Sequence, residues 1–469
     1  MPSPKILAIN VALRPQSKAK IFPIGLSYVL SGLKRAGVEF SLLDIDRWRM
    51  PPEEVLAELG AEKWDIVLLG CIVTGYSIVK RLLADIRQVN PDALIVVGNS
   101  VASSIPDILL ERTEADVAVI GEGDVTAVEV VQSWLARKDV SDVPGIVFKK
   151  DGAIRRTAPR PVIADINGIL PPLYDIFDTE AYIEGHRNCV GEPLPRPREQ
   201  IRAFPVNTAR GCINRCTFCY HCFIGHKYRY RSAENIVGEM MDLRARHAIN
   251  YFMLWDDLTF FSKKQITEFV ETLEARQLDI AWFGAVRGNL FTEEADLPLL
   301  RRMRDAGCMY LGFALESANQ DILKAMRKNV SLSDFAKQKR LFDKAGITAG
   351  TSIVLGYPQE TPQTIAATYQ YCLDLGIYPS TGYLLPQPGT PIYEWAKANG
   401  HIDDEEAYLL RMGDRQDLRL NLTTMSDQEF EDTVLHWLGI LNRELELGLD
   451  EQALIKTTFK RSAKDGISH

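Results

Sequence analysis

Short apolar runs alternate with helical patterns twice along this chain, from Lys5 to about Lys150 and again from Val206 to about Ala398. Such alternation is typical of parallel strands joined by crossover helices. The first stretch predicts an α/β domain with a doubly wound parallel sheet. Its strand candidates are Ile6 to Asn10, Glu39 to Leu43, Ile66 to Leu69, Leu94 to Val97 and Val117 to Ile120.

The second stretch contains six strand and helix repeats, which predict a partial barrel of the (β/α)6 kind. In barrels of parallel strands, chemistry takes place at the C-terminal ends of the strands. The strand candidates are Phe204 to Ala209, Tyr251 to Trp255, Ile280 to Ala285, Tyr310 to Ala314, Ala349 to Leu355 and Ser380 to Leu385.

The 469 residues exceed what one core usually organises, so we expect two large domains and a small appendage. Frequent prolines between the two stretches indicate an extended linker. The predicted segments are a Rossmann-like domain at 1–150, a proline-rich linker at 151–203, the partial barrel at 204–400 and a C-terminal helical region at 401–469.

Three cysteines, Cys212, Cys216 and Cys219, follow the first strand of the barrel with the spacing C-x3-C-x2-C. Three thiolates in one short loop can hold a four-iron, four-sulfur cluster and leave its fourth iron free for another ligand. A tetrahedral zinc site would need a fourth ligand, which Cys222 could supply. The spacing alone leaves both kinds of metal site open.

The cysteine loop resembles that of the radical S-adenosylmethionine (radical SAM) enzymes, whose free iron chelates the amino and carboxylate groups of SAM. Phe218 matches the aromatic residue of that loop, and further matches follow at the later strand ends in the same order. The resemblance places Asp256 and Asp257 near the methionine amino group. It places Arg287 near a carboxylate or the substrate, and Glu316 near the ribose hydroxyls.

The segments Gly356 to Thr361 and Pro386 to Pro391 resemble a branch of this family that carries an N-terminal cobalamin domain, and the first stretch resembles that domain. The cobalt-binding histidine of the related methionine synthase module is absent from the corresponding run Asp44 to Arg49. The resemblance therefore implies cobalamin without a histidine lower ligand. The turns assigned to cobalamin contribute Asp44, Asp46, Cys71, Gly98, Asn99, Gly121 and Glu122.

The resemblance implies a cobalamin-dependent, oxygen-sensitive methyltransferase that methylates an unactivated carbon of a small molecule or peptide through a 5′-deoxyadenosyl radical and methylcobalamin. Its cofactors would be a 4Fe-4S cluster, SAM and cobalamin, and its reductant an external donor such as flavodoxin. A non-methylating cyclase or rearrangement enzyme of the same branch is the alternative. A cobalamin-binding regulatory module with an inactive barrel is a third hypothesis. No catalytic residue beyond the cofactor ligands stands out.

Charge and hydropathy exclude several other classes of protein. The net charge of −8 and the lack of a basic run argue against nucleic acid and anionic membranes as partners. No apolar run approaches the roughly 20 residues that cross a bilayer, and the N-terminus lacks the layout of a signal peptide. The cysteines outside the loop do not form a secreted disulfide framework. We expect a cytoplasmic protein.

Overall fold

The computed structural model describes residues 4–17 and 19–457, so the end of the predicted C-terminal region, residues 458–469, lies outside the described residues. The first stretch forms one sheet with helices around it. Its strands are β1 (Ile6–Asn10), β2 (Ser41–Asp44), β3 (Ile66–Gly70), β4 (Leu94–Gly98), β5 (Val117–Val119), β6 (Ile146–Lys150) and β7 (Ala153–Arg156). Its helices are α1 (Ile24–Arg35), α2 (Ile45–Trp48), α3 (Pro52–Gly60), α4 (Tyr76–Val89), α5 (Asn99–Ser104), α6 (Pro106–Arg112) and α7 (Gly123–Leu135).

The strands of this sheet lie in the order β2-β1-β3-β4-β5-β6-β7. Strands β1 to β5 are parallel, which confirms the predicted doubly wound sheet. Strands β6 and β7 add an antiparallel edge that the sequence pattern did not predict, and β7 lies in the range predicted as linker. Because β2 and β3 lie on opposite sides of β1, a crevice opens at the carboxyl ends of β1 and β3.

Both faces of the inner parallel strands β1, β3, β4 and β5 are buried. In β1, Ile6 and Ala8 join the core under α1 and α7, whereas Leu7 and Ile9 join the core under α3 and α4. A strand buried on both faces needs apolar side chains at every position. The continuous apolar runs of the sequence therefore have a direct structural cause.

The linker packs into the core, although the sequence predicted an extended segment. It contains α8 (Thr179–Arg187), from which Tyr182 packs edge-on against Phe22 with 5.5 Å between the ring centroids. His186 Nε2 accepts a hydrogen bond from the Phe22 backbone N–H at 3.1 Å. The aromatic side chains between the prolines allow this burial, and the proline content alone gave no sign of it.

The second stretch forms the barrel and a short hairpin. Its strands are β8 (Ala203–Pro205), β9 (Ala209–Arg210), β10 (Arg229–Tyr230), β11 (Tyr251–Met253), β12 (Ala281–Ala285), β13 (Cys308–Gly312), β14 (Thr348–Gly350), β15 (Ser352–Leu355) and β16 (Ser380–Tyr383). Its helices are α9 (Ala233–His247), α10 (Lys263–Arg276), α11 (Leu297–Asp305), α12 (Gln320–Ala325), α13 (Leu332–Ala345), α14 (Pro362–Asp374) and α15 (Pro391–Ala398). The antiparallel pair β9 and β10 flanks the cysteine loop.

The barrel strands run parallel in the order β8-β11-β12-β13-β14, and β15 continues in parallel with β16. Strands β14 and β15 are two halves of the predicted fifth strand, so the predicted partial barrel is confirmed. The strand breaks at Thr351, whose Oγ1 donates to Phe313 O and accepts from Leu315 N, both at 2.9 Å. Glu316, the next residue after Leu315, has a left-handed φ of +67°.

Two C-terminal helices, α16 (Glu405–Arg411) and α17 (Asp427–Glu444), contact both domains. Helix α17 packs on α14 of the barrel, and α16 packs on α4 of the first domain. The Tyr76 hydroxyl of α4 donates to Glu406 Oε1 of α16 at 2.8 Å. The region predicted as a small helical appendage thus joins the two larger parts of the chain.

A buried ion cluster, defined by Glu122, Asp124, Arg210 and Arg229, connects the first domain to the barrel. Glu122 pairs with Arg210 at 2.5 Å and with Arg229 at 3.0 Å, and Asp124 pairs with Arg210 at 2.7 Å. The Glu122 side chain is only 6% exposed. Breaking a buried ion pair leaves a charge without a partner, so separating the two domains at this cluster would be costly.

Among the described residues, none of the helices has both the length and the apolar character needed to span a bilayer.

We predict that His186 makes the protein acid-sensitive. Burial lowers the pKa of His186 to about 3, well below its usual value of about 6.5. Folding therefore favours the neutral ring, and its stabilisation is complete above about pH 6.5 and is lost as the pH falls toward 3. At about pH 5 the loss is about 2 kcal/mol.

Thermal unfolding of the cofactor-free protein at about pH 7 and about pH 5 tests this. The His186→Gln variant, which keeps an acceptor for the Phe22 N–H, should lose less stability between the two pH values than the wild type. The exposed His436 offers a matched control, and His436→Gln should behave as the wild type. Equal acid sensitivity of all three proteins would refute this role of His186.

We also predict that Glu122→Gln destabilises the protein by about 3 kcal/mol, because Arg229 loses its carboxylate partner in a buried position. Calorimetric unfolding should show a lowered midpoint. The control is Glu129→Gln, which removes the pair with Arg160 in a carboxylate that is 39% exposed, and it should cost about 1 kcal/mol or less. Equal losses in both variants would contradict a special role of the ion cluster.

Candidate functional site

Two cavities meet where the carboxyl ends of the first sheet face the barrel mouth. The inter-domain cavity, of about 630 Å³, lies between the turns after β1, β3, β4 and β5 and the cysteine loop. The barrel cavity, of about 640 Å³, lies inside the barrel mouth. A shared wall lines both of them. It consists of His221, Trp255, Asp256 and Asp257.

The inter-domain cavity lies at the crevice of the first sheet, where doubly wound sheets bind their ligands. Of the residues predicted for cobalamin, Gly98, Asn99, Gly121 and Glu122 line it. Gly121 has a φ of +76°, and no atom lies within 4 Å of the point where its Cβ would stand. Backbone therefore borders open space directly, which allows close approach of a ligand. The Glu122 carboxylate is already paired with Arg210 and Arg229 in the ion cluster.

Three other residues predicted for cobalamin, Asp44, Asp46 and Cys71, do not line this cavity. Asp44 accepts a hydrogen bond from the Tyr182 hydroxyl at 2.8 Å, and Asp46 pairs with Arg49 at 2.9 Å. Cys71 is buried in the core of the first domain. Asp44 ends β2, the edge strand, whereas the crevice lies between β1 and β3. The alternation of elements does not reveal the order of strands in the sheet, which decides this placement.

The three predicted cluster ligands, Cys212, Cys216 and Cys219, line the barrel cavity together. Burial, the Asp257 carboxylate and the two neighbouring thiols raise the pKa of Cys219 to about 12. Cys222 lines the inter-domain cavity instead. Within the described part of the chain, no three His, Cys, Asp or Glu side chains converge on a single ion, as a zinc site would require. All three thiols border the same cavity, as three ligands of one iron–sulfur cluster must.

The cysteine loop is fixed at its middle. The Thr217 backbone N–H donates to Met326 O at 2.9 Å, and Thr217 Oγ1 donates to Ala325 O at 2.9 Å. These bonds attach the loop to the end of α12. Phe218 follows and packs edge-on against Tyr357, with 6.4 Å between the ring centroids. The predicted aromatic residue therefore supports the loop from within the cavity wall.

Lys328 lies among the charges of the barrel cavity, and sequence reasoning did not identify it. Its Nζ donates to Glu316 Oε1 at 3.0 Å. Burial lowers the pKa of Lys328, but the Glu316 carboxylate and the Cys216 thiolate outweigh burial and leave it raised. Burial raises the pKa of Cys216, and the Lys328 ammonium opposes that rise. The ammonium thus favours the thiolate form that binds iron. Lys328 follows α12 without a recognisable motif.

The predicted acidic pair divides into two roles. Asp256 Oδ1 accepts from the backbone N–H of Thr208 at 2.9 Å and of Ala209 at 3.1 Å, and its Oδ2 accepts from Thr208 Oγ1 at 2.7 Å. Burial raises the pKa of Asp256 to about 6 despite these bonds. Asp257 has no hydrogen bond or ion pair with another described residue. Asp256 therefore fastens the chain ahead of the cysteines, whereas the Asp257 carboxylate lines both cavities without a hydrogen-bond partner among the described residues.

Arg287 and Glu316 both line the barrel cavity and have unused bonding capacity. Arg287 Nε has no hydrogen-bond partner within the described ranges. Glu316 Oε2 has one weak contact, with Ser352 Oγ at 3.5 Å. An ammonium acceptor, a free guanidinium and a carboxylate for hydroxyl groups are the partners that the amino, carboxylate and ribose groups of SAM require.

Two members of the shared wall carried little signal in the sequence. Trp255 precedes the acidic pair without a motif of its own, and only its closeness to the cysteines pointed to His221. Burial lowers the pKa of His221, and the Asp257 carboxylate opposes this change. The His221 imidazole faces both cavities.

Two family models match this chain in the order of its two cavities. A B12 binding domain matches residues 12–131, and the radical SAM superfamily matches residues 206–372. Helices α15, α16 and α17 lie outside both matches.

Curated relatives cover most of the chain at low identity. An uncharacterized methyltransferase of Pyrococcus horikoshii is 25% identical over 388 residues, which are 80% of this chain and 79% of that protein. An anaerobic magnesium-protoporphyrin IX monomethyl ester cyclase of Cereibacter sphaeroides is 26% identical over 392 residues, which are 82% of this chain and 62% of that protein.

A solved structure has a similar fold over most of this chain. The radical SAM methyltransferase TsrM from Kitasatospora setae, with tryptophan substrate and a SAM analogue bound, superposes with a TM-score of 0.66 at 20% identity. The match covers 85% of this chain and 77% of TsrM. At this identity the likeness shows the fold, and the two family models name its parts. The chain belongs to the cobalamin-dependent radical SAM enzymes, in which a B12-binding domain precedes a radical SAM domain.

Proposed function

We propose that this chain is a methyltransferase that methylates an unactivated carbon of a small molecule. The shared wall carries the proposal, because a methyl carrier in the inter-domain cavity and SAM in the barrel cavity must both reach one substrate. His221, Trp255 and Asp257 stand between the two positions. A substrate at this wall would be within reach of both.

When bound, the cluster supplies the electron that cleaves SAM, and cobalamin carries the methyl group. The chain's own residues bind and orient these groups. Cys212, Cys216 and Cys219 would hold the cluster, with Lys328 stabilising the thiolate of Cys216. The groups that would hold SAM are Asp257 for the ammonium, Arg287 for the carboxylate and Glu316 for the ribose. Gly98, Asn99 and Gly121 would border cobalamin.

Aromatic side chains limit water near the reacting carbon. Trp255 and Phe283 line the barrel cavity, with 6.3 Å between their ring centroids, and Phe218 lines it beside the cysteines. Exclusion of water protects reactive intermediates from side reactions. Electrons would come from an external one-electron carrier such as flavodoxin.

We prefer methylation over cyclisation because the relative named as a methyltransferase matches this chain over a larger share of its own length. The Pyrococcus methyltransferase is covered over 79% of its length, whereas the cyclase is covered over 62%. A cyclase of the same branch is the second candidate, because its identity of 26% is similar. The two activities differ in their products from SAM.

A labelling experiment tests the proposed activity. The anaerobically reconstituted protein is incubated with cobalamin, a reductant, SAM labelled in its methyl group and an extract of small metabolites. A methyltransferase should yield a labelled metabolite together with 5′-deoxyadenosine and S-adenosylhomocysteine. 5′-Deoxyadenosine without S-adenosylhomocysteine or label would favour the cyclase, and absence of all three products would reject both. Cys219→Ser serves as the inactive control.

The cysteines provide a matched test of the metal site. Cys212→Ser, Cys216→Ser and Cys219→Ser should each lower the iron content of the reconstituted protein strongly, because each removes a ligand. Cys222→Ser should keep the wild-type iron content, since its thiol lines the other cavity. Iron and sulfide analysis and the visible spectrum measure the outcome. Equal loss in the Cys222 variant would show that four sulfurs share the metal.

A further inference from the structure

Arg415 brings a guanidinium from the C-terminal region into the barrel cavity. It lies between α16 and α17, beyond the radical SAM match that ends at residue 372. Its backbone O accepts from the Tyr383 N–H at 2.7 Å, and its Nη2 donates to Ser380 Oγ at 2.6 Å. These bonds hold the side chain along β16. A segment beyond the radical SAM match thus places a positive charge inside the barrel cavity.

Gly382 makes room for this side chain. A Cβ at position 382 would lie 2.6 Å from Arg415 Nη1 and 3.0 Å from its Cδ. The nearest atom is the end of a flexible side chain, so a larger residue there would displace the guanidinium while leaving the strand in place. The Arg415 side chain is therefore positioned by its hydrogen bond to Ser380 and by the space that Gly382 leaves open.

The charge of Arg415 is not neutralised by the protein. Arg415 forms no ion pair with any residue in the ranges 4–17 and 19–457. Burial lowers the pKa of Arg415, and the Glu316 and Asp414 carboxylates oppose this only in part. Glu316 is already paired with Lys328 at 3.0 Å. A partly buried cation without a carboxylate costs free energy unless a ligand supplies one.

SAM brings one carboxylate into this cavity, and Arg287 has a free Nε to receive it. Arg415 lies beyond the radical SAM match, which ends at residue 372, so its guanidinium is not part of the matched SAM-binding barrel. A planar guanidinium binds carboxylate or phosphate through two parallel hydrogen bonds. The Arg415 guanidinium is therefore available for a second anion, in addition to the SAM carboxylate.

We propose that the substrate carries a carboxylate or phosphate group and that Arg415 binds this group in the barrel cavity. The inference rests on the proposed function for the position of SAM. It narrows the substrate to an acidic small molecule.

Binding to the reconstituted, full-length, SAM-saturated protein tests this without turnover. The probes are benzoate, its uncharged isostere benzamide, and inorganic phosphate, measured anaerobically by calorimetric titration or by saturation-transfer NMR. The wild type should bind benzoate at least about tenfold more tightly than benzamide. Arg415→Gln and Gly382→Ala should lose this preference, and Arg415→Lys should retain part of it. Arg411→Gln, an exposed arginine of α16, is the matched control and should bind as the wild type.

A separate titration with SAM tests whether Arg415 binds the substrate anion or the SAM carboxylate. Arg415→Gln should keep the SAM affinity of the wild type, whereas Arg287→Gln should lower it. The proposal is overturned if the wild type binds neither benzoate nor phosphate, if benzoate and benzamide bind equally, or if Arg415→Gln keeps the preference. It is also overturned if Arg415→Gln loses affinity for SAM, because the guanidinium would then belong to the SAM carboxylate. A wild type that fails to bind SAM at all would reject the proposed function itself.

Discussion

The ion cluster around Glu122 is the contact on which the rest of the arrangement depends. Its two arginines stand on the two arms of the hairpin, Arg210 on β9 and Arg229 on β10, and the cysteine loop lies between those arms. Glu122 and Asp124 lie at the turn after β5 of the other domain. The exposure of the Glu122 and Arg229 side chains is 6% and 8%, so water does not weaken the pairing. The loop that would hold iron is therefore positioned by the domain that would hold cobalamin.

This attachment explains why the two cavities share a wall. The turns of a doubly wound sheet and the mouth of a barrel are each binding edges in their own right. In this protein the two binding edges face each other, and Trp255 and Asp257 line both cavities where they meet. A substrate held there is surrounded by residues from both domains, and Arg415 adds a contribution from a third part of the chain. Specificity can therefore change in the C-terminal region while both cofactor sites stay as they are.

Local patterns in the sequence were sufficient for the parallel strands of both domains, the partial barrel and the cysteine loop, because each depends on residues that are close along the chain. The antiparallel strands β6 and β7 were missed. The position of Asp44 could not be predicted in this way, since it depends on the order of strands in the sheet. The packing of Tyr182 in the linker and the pairing of Lys328 with Glu316 depend on residues that are distant in sequence. The sequence alone does not distinguish the roles of Asp256 and Asp257, which are adjacent. The hydrogen bonds of Asp256 to Thr208 distinguish them in the structure.

The anchors of the cysteine loop have a consequence for how the protein acquires iron. Asp256 binds the backbone of Thr208 and Ala209 ahead of the loop, and Thr217 binds the end of α12 from its middle. None of these bonds requires a metal. In small zinc domains the free energy of metal binding is the free energy of folding. Here hydrogen bonds within the protein fix the start and the middle of the loop, so a metal cluster need not order these two points when it binds.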